Sequence, residues 1–182
     1  MNKRQKHKEE KKQQDYPLKL AEEYRDEYQD PDLIRQALAM KRIAMVGLSA
    51  DELRASNFVG RYLAFHGYEV IPVNPKADTI LNRKAYPSLT DIPKELEIDI
   101  VDVFRHPAAV PQIAEDATKI GARVLWLQYG VISLQGAEIA KEGGLDVVVD
   151  CCMKVEHARH LGRMHWLGLN TGRISARRAQ MF

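Results

Sequence analysis

Ser49, Arg54 and Ser56 lie close together in "GLSADELRASNFVGRYL", between an apolar run and a segment of helical period. Hydroxyls, a guanidinium and the free N–H groups of a helix start are the groups that hold a phosphate. On this reading Ser56 is the N-cap and Arg54 a forked donor beside it. A nicotinamide dinucleotide would need G-x-G-x-x-G after the first strand and an acidic residue after the second. Here Gly47 stands alone in the first turn, and the second strand ends in Asn74-Pro75-Lys76, whose lysine favours a phosphate over a bare diol. No G-x-x-x-x-G-K-[ST] occurs, so a P-loop is excluded as well.

Covalent chemistry has fewer candidates. Cys151 and Cys152 are adjacent, which offers neither a disulfide framework nor a C-x-x-C site. Cys152, at a strand mouth near a helix start, is placed to have its thiol pKa lowered and to exchange with a thiol ligand. The commoner fate of a free cysteine is a small buried hydrophobe. Of the histidines, His66 falls at the end of the first long helix, where the dipole favours it. Glu156, His157 and His160 beside the cysteines invite a metal, but C-C-x4-H-x2-H matches no common zinc pattern, and "EHARH" reads as an amphipathic helix with solvated charge. No Ser-His-Asp set and no carboxylate pair can be assembled. Neither catalytic nor metal-ligating residues are expected.

The elements that position these groups follow from composition and period. The 182 residues are 45% hydrophobic and 29% charged, as in an ordinary globular domain, and no apolar run or leader suggests a membrane or secretion. A cytoplasmic location is the default. Residues 1–20 carry a charge of +4, leaving about −2 for the rest, so a globally basic nucleic-acid binder is not expected. That stretch reads as a disordered basic tail and 21–40 as a lead-in helix, with Asp30 as N-cap and Pro31 in its first turn. The runs "RIAMV", "YEVIPV", "IDIVDVF", "RVLWLQ" and "DVVVD" alternate with helical stretches that end in glycine, plus one proline-rich loop with room for a short helix. Near-continuous apolar strands alternating with helices predict one Rossmann-like, doubly wound α/β domain over 41–165: a parallel sheet of about five strands with helices on both faces. Residues 166–182 form a C-terminal extension. Ligands of such sheets bind at the carboxyl ends of the strands.

The fragments "VG-S", "R-SN-VGRYL", "GYEVIPVNP", "YPSL-DIP", "DIVDVFR", "WLQ-GV" and "VVVD-C-K-EH", with an echo in "GLNTGRISARR", resemble the small CoA-binding proteins related to the CoA-binding domain of the succinyl-CoA synthetase alpha subunit. The resemblance implies coenzyme A or acyl-CoA across the strand ends. It places Ser49, Arg54, Ser56 and Asn57 beyond Gly47 at the diphosphate, and Asn74, Pro75 and Lys76 at the adenosine end. Phe104, Arg105, Gln128 and Gly130 would line the ligand's path, with Cys152 near its thiol. Ala55 stands where proline is expected and Cys151 where arginine is expected. The synthetases use a phosphorylated histidine in a second domain, for which this chain has no room. The implied role is non-catalytic or regulatory binding. The alternative is a ligase or acyl-transfer component that takes its catalytic residues from a partner subunit.

Overall fold

In the computed structural model, Pro17 and residues 19–161 are described. Most of the basic tail, the extension 166–182, "GLNTGRISARR", His7 and His165 lie outside the described residues. Five parallel strands form the sheet: β1 (Arg42–Val46), β2 (Glu69–Val73), β5 (Ile100–Val103), β6 (Val124–Leu127) and β7 (Asp146–Val149), in the order β2-β1-β5-β6-β7. All five coincide with the predicted apolar runs. The register is continuous across the centre, with Met45 beside Asp102, Asp102 beside Trp126 and Trp126 beside Val148. Pro72 is accommodated because β2 is an edge strand, where a missing N–H breaks no central ladder.

Alternate side chains of the strands feed two apolar layers. On one face, Ala44, Val101, Val103, Leu125, Leu127 and Val149 pack against α4 (Val110–Lys119) and α5 (Leu134–Glu142). On the other, Ile43, Met45, Ile100, Trp126 and Val148 pack against α2 (Pro31–Ala39), α3 (Ala55–Phe65) and α6 (Met153–His160). Burial on both faces explains why the strands show no polar alternation. Gly67, Gly121 and Gly144 follow α3, α4 and α5 in the left-handed conformation, as the terminal glycines predict.

The lead-in is divided. A 3-10 turn over Glu22–Tyr24 and α1 (Arg25–Tyr28) precede α2, which starts at Pro31 with the Asp30 carboxylate accepting from the Asp32 N–H, as expected of its N-cap. The proline-rich loop differs from its sequence reading. It holds an antiparallel hairpin, β3 (Thr79–Ile80) with β4 (Arg83–Lys84), followed by 3-10 turns at Leu89–Asp91 and Lys94–Leu96. Leu81 and Asn82 turn the hairpin with positive φ, a conformation unusual for a leucine.

Candidate functional site

From β1 the chain passes to β2 at one edge and then returns to β5 on the other side of β1, so the crevice of this sheet opens between the carboxyl ends of β1 and β5. Gly47 stands at its lip with φ +88°, and a Cβ there would lie 2.9 Å from both the Phe104 carbonyl oxygen and Arg105 Cδ. The lone glycine therefore lets two strand ends approach, rather than seating a pyrophosphate in a glycine-rich turn. Gly130 is also left-handed, but a Cβ there meets nothing within 4 Å. Both alanine variants bear the left-handed penalty of about 1–2 kcal/mol, and only Gly47→Ala adds a backbone clash. Thermal unfolding should show Gly47→Ala losing at least about 1 kcal/mol more than Gly130→Ala; equal losses would mean the close approach at Gly47 is not a constraint.

The loop after Gly47 is stitched together by side chains. The Ser49 N–H donates to Ser56 Oγ at 3.1 Å, Asn57 Nδ2 donates to the Ser49 carbonyl at 2.8 Å, and Ser49 Oγ accepts from the Asp51 N–H. Asn74 Nδ2 reaches across from the end of β2 to the Leu48 carbonyl at 2.8 Å, and its Oδ1 accepts from the Lys76 N–H in the turn that also holds Pro75. Ser49, Ser56, Asn57 and Asn74 thus form one network. One sequence expectation is corrected: Ser56 is not the N-cap. Arg54 holds that position and Ser56 lies in the first turn, because its hydroxyl is taken by the loop backbone. Among the described residues no side chain caps α3, so its first N–H groups stay available to an anion. Arg54 is three-quarters exposed, 3.7 Å from Asp51.

On the far side of the crevice, Gln128 is buried and donates through Nε2 to Asp102 Oδ1 at 2.8 Å. The Gly130 N–H donates to Asp150 Oδ1 at 2.8 Å, and the other Asp150 oxygen accepts from the Leu20 N–H of the lead-in. Asp150 itself has φ +58°. Neither aspartate is among the predicted ligand-lining residues. The available signal for Asp102 was a carboxylate enclosed in the apolar run "IVDVF".

Cys152 is the N-cap of α6 and half-buried. Burial pushes its thiol up, outweighing the Val155 and Lys154 N–H groups that pull it down, which agrees with the reading of Cys152 as a small buried side chain and goes against the alternative of an activated thiol. The amphipathic helix read in "EHARH" is present and packed, but its charge is not solvated: Glu156, His157, Arg159 and His160 are buried. Arg159 Nη1 donates to both Glu156 oxygens, at 2.9 and 2.7 Å. His157 Nδ1 lies 3.0 Å from Tyr62 Oη of α3, and burial, with help from His66 and Lys41, holds this imidazole below its usual range. His66 caps α3 with Nδ1 2.8 Å from the Tyr62 carbonyl oxygen. Among the described residues no three His, Cys, Asp or Glu side chains are grouped to hold a metal, and no helix is long and apolar enough to cross a membrane.

A family model described as "CoA binding domain" matches residues 41–158, the span from the start of the sheet through most of α6. The chain belongs to the CoA-binding domain family. An uncharacterized protein of Bacillus subtilis, YneT, is 43% identical over 118 residues, covering 65% of this chain and 86% of that one. A solved structure of a hypothetical protein from Pyrococcus horikoshii is 44% identical with a TM-score of 0.70, covering 72% of this chain and 92% of that one. The acetate–CoA ligase (ADP-forming) II of Archaeoglobus fulgidus is 30% identical over 146 residues, which span only 21% of that protein. The family match includes every predicted ligand-lining residue and leaves the lead-in up to residue 40 outside it.

Proposed function

We propose that the protein binds coenzyme A or an acyl-CoA at the β1/β5 crevice as a non-catalytic or regulatory module. The observation that carries this reading is the uncapped start of α3 beside the cross-linked loop, within a chain of the CoA-binding domain family. The diphosphate lies at Ser49, Arg54 and Ser56, held by helix N–H groups and a charged fork instead of glycines, with Asn57 bracing the loop through the Ser49 carbonyl. The adenosine end lies at Asn74, Pro75 and Lys76, and the other arm passes Phe104, Arg105, Gln128 and Gly130 toward Cys152.

Calorimetric titration of two ligands against two variants tests this arrangement. Arg54→Ala should weaken CoA and dephospho-CoA alike, by about 0.5–1 kcal/mol for a side chain this exposed. Lys76→Ala should weaken CoA by about 0.2–1 kcal/mol and leave dephospho-CoA nearly unchanged, because that ligand lacks the ribose phosphate. Equal losses in Lys76→Ala would move the lysine to the diphosphate. Tighter binding of NAD than of CoA by the wild type would sink the reading. The likeness to part of an acetate–CoA ligase favours a second one, a ligase component completed by another polypeptide. A copurifying partner that confers acyl-CoA formation would select it.

A further inference from the structure

We propose that Asp102 reads the thiol end of the ligand, so that the site selects free coenzyme A over its thioesters; this rests on the CoA reading above. Asp102 is fully buried in the central strand β5, with Met45 on one side and Trp126 on the other. By strand alternation its side chain shares the α3/α6 face of the sheet with Ile100. Oδ1 accepts from Gln128, while Oδ2 lacks a donor in hydrogen-bond geometry among the described residues; the Val103 backbone N–H acts on the carboxylate without closing such a bond. The buried Asn57 in the first turn of α3 repeats the pattern: its Nδ2 is engaged and its Oδ1 lacks a donor. Buried polar atoms are normally paired, so two unmatched acceptors on one face of the sheet need explaining.

Both unmatched atoms ask for donors. A diphosphate brings only acceptor oxygens and cannot supply them. The pantetheine arm of coenzyme A can, since it carries amide N–H groups, a hydroxyl and a terminal S–H. The carboxylate also stands close enough to Cys152, at the mouth of β7, to raise that thiol electrostatically, which places it near where a ligand's sulfur would arrive. A thioester has no S–H. Its carbonyl would add a third acceptor facing an ionised carboxylate, and this is the physical origin of the selection.

Calorimetry on the full chain at pH 8, where Asp102 is ionised, compares coenzyme A with desulfo-CoA, in which hydrogen replaces the thiol, and with acetyl-CoA. Wild type should bind coenzyme A about tenfold more tightly than either analogue, as for a hydrogen bond to a charged acceptor. Asp102→Asn should bring the three ligands within about twofold of one another, since the amide replaces the unmatched acceptor with a donor. Equal wild-type affinities would overturn the proposal without any variant, so a poorly folding variant leaves the test intact. So would a tenfold preference that survives in Asp102→Asn, the result expected if another group reads the thiol. Failure of the wild type to bind any of the three would instead overturn the CoA reading itself.

Discussion

Asp102→Asn should stabilise the ligand-free protein at pH 8 and leave it nearly unchanged at pH 4. Burial raises the Asp102 carboxyl from 3.8 to about 7, more than the Gln128 side chain and the Val103 backbone N–H together lower it. A folded-state pKa above the unfolded one means that the contribution of this group is most favourable below about pH 4, where both states are protonated. It is then lost as pH rises to about 7, because the unfolded chain releases a proton that the folded chain retains. Three pKa units correspond to about 4 kcal/mol lost over that window. Asparagine does not titrate, keeps an oxygen for Gln128 and places an amide N–H where the protonated carboxyl places its O–H, so the two are nearly equivalent below about pH 4. The difference between variant and wild type should therefore be near zero at pH 4 and grow in favour of the variant toward pH 8, to at most about 4 kcal/mol in denaturant unfolding. A difference independent of pH would show that the carboxyl titrates at its ordinary value and that burial does not govern it.

The five strands were legible because each is buried on both faces and so reads as a nearly unbroken apolar run, and the helices because their terminal glycines sit in left-handed turns. The hairpin Thr79–Lys84 was not, since two-residue strands carry no period. Within the site, residue types pointed to the right loop, but local rules misplaced Ser56. A serine before an apolar run looks like a cap until the Ser49 N–H, seven residues away, claims its hydroxyl. Cys152 shows the same limit: a helix start lowers a thiol, and only the fold reveals that burial outweighs it. Asp102 was absorbed into an apolar run because neighbouring residues cannot show that a strand will be central, nor that Gln128 will meet it from the next one.

Arg159→Met should cost about 3–5 kcal/mol of stability at pH 8, although in sequence Glu156 and Arg159 look like an ordinary i,i+3 surface pair. An exposed pair of that spacing is worth a few tenths of a kcal/mol. Here both partners are buried, and one guanidinium nitrogen donates to both Glu156 oxygens, with His160 Nε2 the other nitrogen near Oε2, at 3.5 Å. Burial already pushes the Glu156 carboxyl up, and Arg159 is the group that pulls it back. With the arginine gone, the folded-state pKa of Glu156 rises further above its unfolded value, so the deficit should be greatest at high pH and shrink as pH falls and the carboxyl is protonated. Glu156→Gln combined with Arg159→Met removes the stranded charge and should recover most of the loss. A double variant as unstable as the single one would show that the arginine acts through packing of its stem instead. The pair also bears on the ligand, because α6 has Cys152 as its N-cap and follows closely on Asp150, whose carboxylate holds the Gly130 N–H. A helix loosened by the stranded carboxylate would shift both residues. CoA affinity in Arg159→Met should therefore fall with stability at pH 8 and recover alongside it in the double variant, linking a buried ion pair on α6 to the far wall of the crevice.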